Sequence, residues 1–268
     1  MTAAQQGEPR PQGAERRAWR VVGTLAGAAV ILFGAGQTWT SLVRQTSIRP
    51  DRYPSTVTAL ELDLQNASAT VTAGGDDQIA VQQAERWTVR QPQISRVVVG
   101  NTLKISARCP KVLGIDEPSC SVDLDIGAPA STAVTVRSTS GDTRIRGLSG
   151  DLSLRTTSGS FQLDDVSGRL AAQLTSGTLN AQRVSSAQVQ AHTTSGSLNL
   201  QFVAPPQDLS VTATSGSLTA GLPPGSTYRV NVRGSADTNP ALNDSASARS
   251  ITASVGSGHA SLDYTAGG

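Results

Sequence analysis

The sequence of residues 139–216 is TSGDTRIRGLSGDLSLRTTSGSFQLDDVSGRLAAQLTSGTLNAQRVSSAQVQAHTTSGSLNLQFVAPPQDLSVTATSG. The tripeptide Thr-Ser-Gly recurs in it, and its successive glycines lie 18, 18, 19 and 20 residues apart. Ser-Gly pairs at 149–150 and 167–168 halve the first two intervals, and a Ser-Ala pair at 186–187 halves the third. A nine-residue unit that doubles to about 18 indicates a repeat architecture. The repeated residues are Thr139, Ser140, Gly141, Thr157, Ser158, Gly159, Thr175, Ser176, Gly177, Thr194, Ser195, Gly196, Thr214, Ser215 and Gly216.

Apolar residues occupy two fixed places in each nine-residue unit, two and four positions after the turn. Seventeen of these eighteen residues are apolar, and the residue between each pair is polar in eight of nine units. This alternation is typical of a strand with one buried face. The pairs are Thr143/Ile145, Leu152/Leu154, Phe161/Leu163, Leu170/Ala172, Leu179/Ala181, Val189/Ala191, Leu198/Leu200, Leu209/Val211 and Leu218/Ala220.

A strand of about five residues cannot bury its apolar face alone, so the units are expected to stack. Two units per coil predict a parallel β-solenoid with 18–20 residues per coil and a thin core between two sheets. The Thr-Ser-Gly turns would then form a ladder of hydroxyls about 19 Å long on one edge, at a coil spacing of about 4.8 Å. The glycines are explained by turn geometry, because a sharp reversal usually needs one residue with positive φ.

Composition limits the classes of protein that remain. Aromatic residues make up 3% of the 268 residues, which suits a thin aliphatic core. The formal net charge of +2 comes from arginines near the N-terminus, because 18 basic and 18 acidic residues follow Arg20. A neutral body lacks the basic surface that nucleic-acid binding requires.

An apolar segment near the N-terminus predicts a membrane helix. The 23 residues between Arg20 and Arg44 are uncharged, which is long enough to cross a hydrocarbon core of about 30 Å. Trp19 and Trp39 bracket the segment, one at each expected interface. We therefore expect a disordered cytoplasmic tail over residues 1–18, a transmembrane helix over 19–43 and an extracytoplasmic C-terminal domain.

Two alternatives to a membrane anchor stay open for this segment, a cleaved signal peptide and a buried helix of a soluble protein. Small residues at 34–36 after a basic region would also suit a cleaved signal peptide. Gly23 and Gly27 form a G-x-x-x-G pattern, which lets membrane helices pack closely, although glycines are common in such helices.

The rest of the chain continues the β pattern on both sides of the repeats. Residues 44–55, with Pro50 and Pro54, suggest a short extended linker, and residues 56–265 form the predicted β-solenoid domain. Alternating segments within residues 59–105 lack the nine-residue mark and are expected to be irregular coils that cap the solenoid. Residues 250–264 resemble a final coil at its other end.

Cys109 and Cys120 are the two cysteines of the chain, eleven positions apart. In an extracytoplasmic domain a disulfide between them is favoured, and closing so short a loop contributes about 3 kcal/mol. A zinc site would need further ligands, but the chain has two histidines, His192 and His259, and no Cys-x-x-Cys pattern. We expect a disulfide and no cofactor or metal.

The sequence gives only weak evidence for catalytic or calcium-binding residues. Asp142 and Asp151 follow turns that should lie on opposite edges, and the adjacent Asp164 and Asp165 suggest a solvated turn more than an acid and base pair. A serine, His192 and aspartate triad has no support from spacing because serine is so abundant. The turns also lack the paired glycines and regular aspartate of calcium-binding β-rolls.

The sequence resembles a known family in the segment NTLKISARCP (residues 101–110) and in VDLDIGAPASTAVTVRSTSGDTRIRGLSGDLSLRTTSGSFQLDDVSG (residues 122–168). Together with the later Thr-Ser-Gly turns, these segments resemble the bacterial "putative-adhesin" β-strand-repeat family, a domain of unknown function. The resemblance covers roughly residues 57–265. It implies a right-handed parallel β-solenoid on a membrane-anchored envelope protein, and it defines no catalytic residues.

The expected function is therefore that of a non-catalytic, membrane-anchored extracytoplasmic adhesin or structural module, with a protein or glycan of the cell envelope as its partner. Two alternatives remain: a β-helix enzyme that acts on glycans, and an accessory protein of envelope stress or signalling. The sequence does not identify the ligand.

Overall fold

The computed structural model describes residues 45–74, 77–112, 115–116 and 120–265. These residues are almost entirely β-structure, with one 3-10 turn at Pro240–Leu242, so the all-β prediction is confirmed. The strands are β1 (Gln45–Tyr53), β2 (Ala59–Gln65), β3 (Ser68–Ala73), β4 (Ile79–Trp87), β5 (Gln93–Val99), β6 (Thr102–Arg108), β7 (Lys111–Val112), β8 (Ile115–Asp116), β9 (Ser121–Ala128), β10 (Ala133–Arg146), β11 (Leu152–Asp164), β12 (Leu170–Val184), β13 (Gln188–Phe202), β14 (Asp208–Leu222), β15 (Arg229–Arg233), β16 (Ala236–Thr238) and β17 (Ser250–Tyr264).

Strands β10 to β14 each carry one Thr-Ser-Gly in their middle, and each of β10 to β13 pairs in parallel with the next strand along the chain. The alternation of buried and exposed residues is interrupted at the Thr-Ser-Gly, which separates each strand into two halves. We call the halves before it layer A and the halves after it layer B. Layer A pairs Val134 with Leu152 and Leu152 with Leu170, while layer B pairs Thr143 with Phe161.

The core lies between the two layers, as the alternation predicts. All eighteen residues at the two inward places are buried, which confirms the predicted register. The structure adds a third apolar place at the edge opposite the Thr-Ser-Gly turns, where Leu148, Val166, Val184 and Phe202 are also buried. These side chains close the core at that edge.

The 19-residue coil accommodates its extra residue within a strand. The 19-residue interval that ends at Gly196 contains a register shift between Ala181 and Val184, and Arg183 there has a φ of 51°. The extra residue is absorbed as a local irregularity, so both layers keep their pairing on either side of it.

The N-terminal end of the stack is more regular than the sequence suggested. Strands β2 and β3 pair in parallel with the two halves of β10, and β6 and β9 pair in parallel with β2 and β3. Two further strands then close this end with antiparallel pairing, β5 on β6 in layer A and β4 on β9 in layer B. The β5–β6 pair is a hairpin, which needs no crossover and suits a terminal cap.

Residues 45–53, for which the sequence suggested part of a linker, form strand β1 and pair antiparallel with β4. Pro50 lies within this strand. Proline cannot donate a ladder hydrogen bond, and an edge strand tolerates it because one of its sides has no strand partner.

The C-terminal end departs from chain order. Residues 250–264 form a strand-turn-strand coil as expected, but this coil is not the last of the stack, because β17 pairs in parallel with β14 on one side and with β15 and β16 on the other. After β14 the chain therefore forms β15 and β16 one place further along the stack. The last strand, β17, then lies between them and β14. In this arrangement the short β15 and β16 pair with the full-length β17.

Within the described residues no helix is long and apolar enough to cross a membrane. The predicted cytoplasmic tail and transmembrane helix, including Trp19, Gly23, Gly27 and Trp39, lie outside the described residues.

Candidate binding groove beside the Thr-Ser-Gly ladder

The repeated Thr-Ser-Gly residues stack in register along one edge of the molecule. Their serines align in one column and their glycines in another, from β10 through β14. We call each of these turns a rung of the ladder. The structure adds a sixth rung, Ser257-Gly258 of β17, which pairs with Ser215-Gly216 and which the sequence analysis missed. Six rungs at a spacing of about 4.8 Å make the ladder about 24 Å long. The threonine of each of the first five rungs is exposed on the outer face of layer A.

Turn geometry, the predicted reason for the glycines, applies to only two of the five, and a second reason applies to all of them. Positive φ occurs at Gly141 (117°) and Gly216 (156°), but not at Gly159, Gly177 or Gly196. A Cβ added at any of the five would lie within 3.0 Å of the backbone oxygen of the rung before it. Glycine is therefore needed because consecutive turns stack too closely to admit a side chain.

Polar side chains on neighbouring rungs bond to one another beside the glycines. Ser160 Oγ donates to Asp142 Oδ1, and Ser217 Oγ donates to Ser197 Oγ at 3.1 Å. Ser140 Oγ donates to Oδ1 of Asn66, which stands at the bend between β2 and β3. These hydrogen bonds connect neighbouring coils along the edge, while the threonines are exposed to solvent.

A groove of about 400 Å³ runs along the outer face of layer A, next to the threonine column. One outward-facing residue from each of five neighbouring strands forms the floor of the groove. In β10 to β13 this residue lies two positions before the threonine of the Thr-Ser-Gly, and in β2 it is the residue that pairs with Arg137. In order along the groove, the floor residues are Asp63, Arg137, Arg155, Gln173 and His192. Its wall is built from four of the ladder threonines, Thr139, Thr157, Thr175 and Thr194. The groove thus combines charged and amide groups with a regular row of hydroxyls.

A second depression of about 210 Å³ continues the groove toward the C-terminal coils. It shares Gln173 and His192 with the first, and its floor includes Ala171. Ala171 is the single apolar residue at the outward place between the paired core positions, and its small side chain leaves space that a longer polar residue would fill. The exception in the sequence pattern therefore has a structural consequence.

Charges at one end of the groove are largely paired. Glu61 contacts Lys104 Nζ at 3.0 Å and also accepts from Arg137. Hydrogen bonds from Lys104 and then from Arg137 hold the pKa of Glu61 below its ordinary value of 4.5. Arg155 lies on the next rung, and within the described part of the chain no hydrogen bond or ion pair engages its side chain. Arg155 is consequently the cation in the groove that is available to a ligand.

The disulfide lies where the ladder begins. Cys109 and Cys120 are bonded, with their Cα atoms 5.9 Å apart. Cys109 follows β6 and Cys120 precedes β9, and these strands flank the bend of β2 and β3 at Asn66. The bond therefore joins layers A and B two coils beyond the first hydroxyl rung, in the coil next to Asn66.

The acidic residues considered for catalysis do not converge. Asp142 lies beside the Thr-Ser-Gly edge and bonds Ser160, whereas Asp151 lies at the opposite edge and accepts from the backbone N–H of Arg169 at 3.0 Å. Asp164 pairs with Arg183 on the next coil. Among the described residues, no group of three or more His, Cys, Asp or Glu side chains could hold a metal ion.

His259 makes a contact that sequence reasoning missed. Its Nε2 lies 3.1 Å from Asp237 Oδ2, and its Nδ1 lies 3.5 Å from Ser235 Oγ. These side chains are open to solvent, with 49% of His259 and 86% of Asp237 exposed, so the pair contributes little to stability. One sequence feature could have indicated this contact: His259 directly follows Gly258, at a place where the earlier rungs carry serine, threonine or aspartate.

Residues 118–208 match the family model described as Toastrack DUF4097. This match confirms the resemblance to an adhesin-type family of β-strand repeats without a known function. No curated protein matches the sequence.

Solved structures extend the likeness beyond the matched segment. The chain is similar to a "putative adhesin" from Bacteroides fragilis at 11% identity, with a TM-score of 0.50 and coverage of 81% of this chain and 97% of that one. It is also similar to a "putative cell adhesion protein" from Clostridium sporogenes at 12% identity, with a TM-score of 0.36 and coverage of 83% and 100%. The first of these similarities supports a shared fold.

Proposed function

We propose that this chain is a membrane-anchored, extracytoplasmic binding module of the adhesin type, built as a right-handed parallel β-solenoid and without catalytic activity. Its N-terminus would lie in the cytoplasm, and its repeats would present a binding surface to the cell envelope or to its surroundings.

The observation that carries this proposal is the groove beside the Thr-Ser-Gly ladder. Its threonines and its row of Asp63, Arg137, Arg155, Gln173 and His192 come from five consecutive coils in one register. A site spread over stacked coils suits the recognition of an extended ligand, because repeat proteins present long surfaces of this kind. A compact catalytic centre would instead bring its acid and base together, whereas Asp142 and Asp151 lie on opposite edges.

The membrane anchor rests on the uncharged segment that follows four arginines, as the positive-inside rule requires for a cytoplasmic N-terminus. The Cys109–Cys120 disulfide supports an extracytoplasmic domain, because such bonds persist in oxidising compartments.

Binding is tested with the full-length protein in lipid nanodiscs, immobilised and exposed to glycan and protein fractions of a bacterial envelope. We expect specific retention of an envelope component by loaded nanodiscs and none by empty ones. Equal retention by the two would contradict a binding function.

Topology is tested separately. Protease added to intact cells should remove the domain after Arg44, and a tag placed before Arg10 should stay protected. Protection of the C-terminal domain would overturn the proposed orientation.

A further inference from the structure

We infer that the groove on layer A binds a linear glycan that carries carboxylate groups, and that Arg155 is the residue that holds one of these carboxylates. This inference rests on the proposed binding function and specifies the ligand chemistry of the same surface.

Arg155 supplies the reason for a carboxylate. Its side chain lines the groove and has no partner among the described residues, so no internal ion pair must be broken when a ligand binds. The planar guanidinium matches a carboxylate with two parallel hydrogen bonds. Arg137 stands on the adjacent rung, about 4.8 Å away along the stack, and adds positive potential although Glu61 engages its head group.

The remaining lining supplies the reason for a glycan. Thr139, Thr157, Thr175 and Thr194 offer a hydroxyl on each successive coil, and Gln173 offers an amide donor and acceptor. Sugar hydroxyls need partners of both kinds at short intervals. An acidic peptide would need pockets for its side chains or an open strand edge, but the strands that line this groove are paired on both sides.

The charges also predict where the ligand should be neutral. Asp63 lies on the rung before Arg137, at the end of the groove nearest the disulfide. An anionic group placed there would face a like charge. A polymer with well-separated carboxylates should therefore bind better than one with a charge on every unit.

The experiment measures binding of defined oligosaccharides to the full chain in nanodiscs by calorimetry at low salt. The probes are an oligogalacturonate in which alternate units are methyl-esterified, the fully de-esterified form, a neutral galactan of equal length and a polyglutamate. We expect the partly esterified oligomer to bind best, and its affinity to fall as salt is added. Tighter binding of the neutral galactan or of polyglutamate would overturn the inference.

Matched variants locate the site. Arg155→Gln should weaken the partly esterified oligomer roughly tenfold or more, as expected for the loss of a charge-assisted bidentate contact. Arg155→Lys should recover part of the affinity, since it restores the charge without the fork. Arg146→Gln makes the same charge change at an exposed position of β10 on the outer face of layer B and should leave binding unchanged.

Equal affinities of the Arg155→Gln and Arg146→Gln variants would overturn the assignment of Arg155. Thermal melting identifies any variant that fails to fold, in which case Arg155→Lys carries the test. If envelope components are retained but none of the oligosaccharides binds, the ligand chemistry is wrong and the binding function stands. If nothing is retained, both fail.

Discussion

Replacing Gly177 with alanine should destabilise the protein although the φ of Gly177 is not positive. Its φ is outside the positive range, so a turn-geometry argument predicts almost no cost. The added Cβ, however, would lie within 3.0 Å of the backbone oxygen of Gly159, whereas ordinary contact begins at 3.4 Å. The two coils must therefore separate locally by more than 0.4 Å.

The size of the destabilisation can be estimated from the backbone hydrogen bonds that join the two coils at this contact. Stretching hydrogen bonds of about 2.9 Å by that amount takes them past the usual limit of about 3.2 Å. Weakening two neighbouring bonds at about 1 kcal/mol each, together with at least 1 kcal/mol of overpacking strain, gives a loss of about 3 kcal/mol. For a folded domain of this size the melting temperature should fall by roughly 6–12 °C.

Gly127→Ala is the matched control. Gly127 lies in β9, its φ is not positive, and a Cβ there would meet nothing within 4 Å. Alanine at such a site should be neutral or stabilise by about 0.4–1 kcal/mol, because it restricts the unfolded chain. Urea unfolding measures both variants, and amide exchange should quicken in the coils on both sides of Gly177. Similar unfolding free energies for Gly177→Ala and Gly127→Ala would refute the close-stacking explanation.

Three further outcomes are expected. Leu163→Asp buries a carboxylate in the thin core and should cost several kcal/mol in denaturant unfolding, while the exposed Gln162→Asp should stay within about 0.5 kcal/mol; equal midpoints would refute the register. Mass spectrometry of the non-reduced protein should find Cys109 linked to Cys120, and reduction should lower stability by about 3 kcal/mol; free thiols in native material would count against it. Because the pKa of Glu61 is lowered on folding, its stabilising contribution should be present above pH 4.5 and lost as the pH falls below that value, and Glu61→Gln should abolish this part of the pH dependence of unfolding.

The repeated part of the fold could be predicted because its signal is local. Inward residues such as Ile145 and Leu163 recur at fixed distances from a turn, and a short strand with one apolar face has no way to bury it except by stacking on its neighbour. The all-β class, the inward face and the equivalence of the Thr-Ser-Gly turns follow from that requirement. The disulfide followed from the number and spacing of the cysteines.

The binding surface could be predicted only in part. The threonines were chosen from the sequence because they repeat, but Arg137, Arg155 and Gln173 were not, because the residue type at their place changes along the stack and carries no sustained periodic signal. Their common position became visible only when the register brought successive strands side by side. The reason for the glycines likewise depends on the distance between coils, which a single turn cannot reveal.

Tertiary pairing alone decided the two ends of the stack. The alternation in β17 is compatible with either an outer or an inner position, and only the pairing of β17 with β14 on one side and with β15 and β16 on the other shows that the position is inner. At the other end, the inward positions of β4 include Gln83 and Glu85, which are buried and bonded to each other. A polar residue facing inward breaks the alternation on which a sequence-based assignment depends, and only the contacts of the folded chain compensate for its burial.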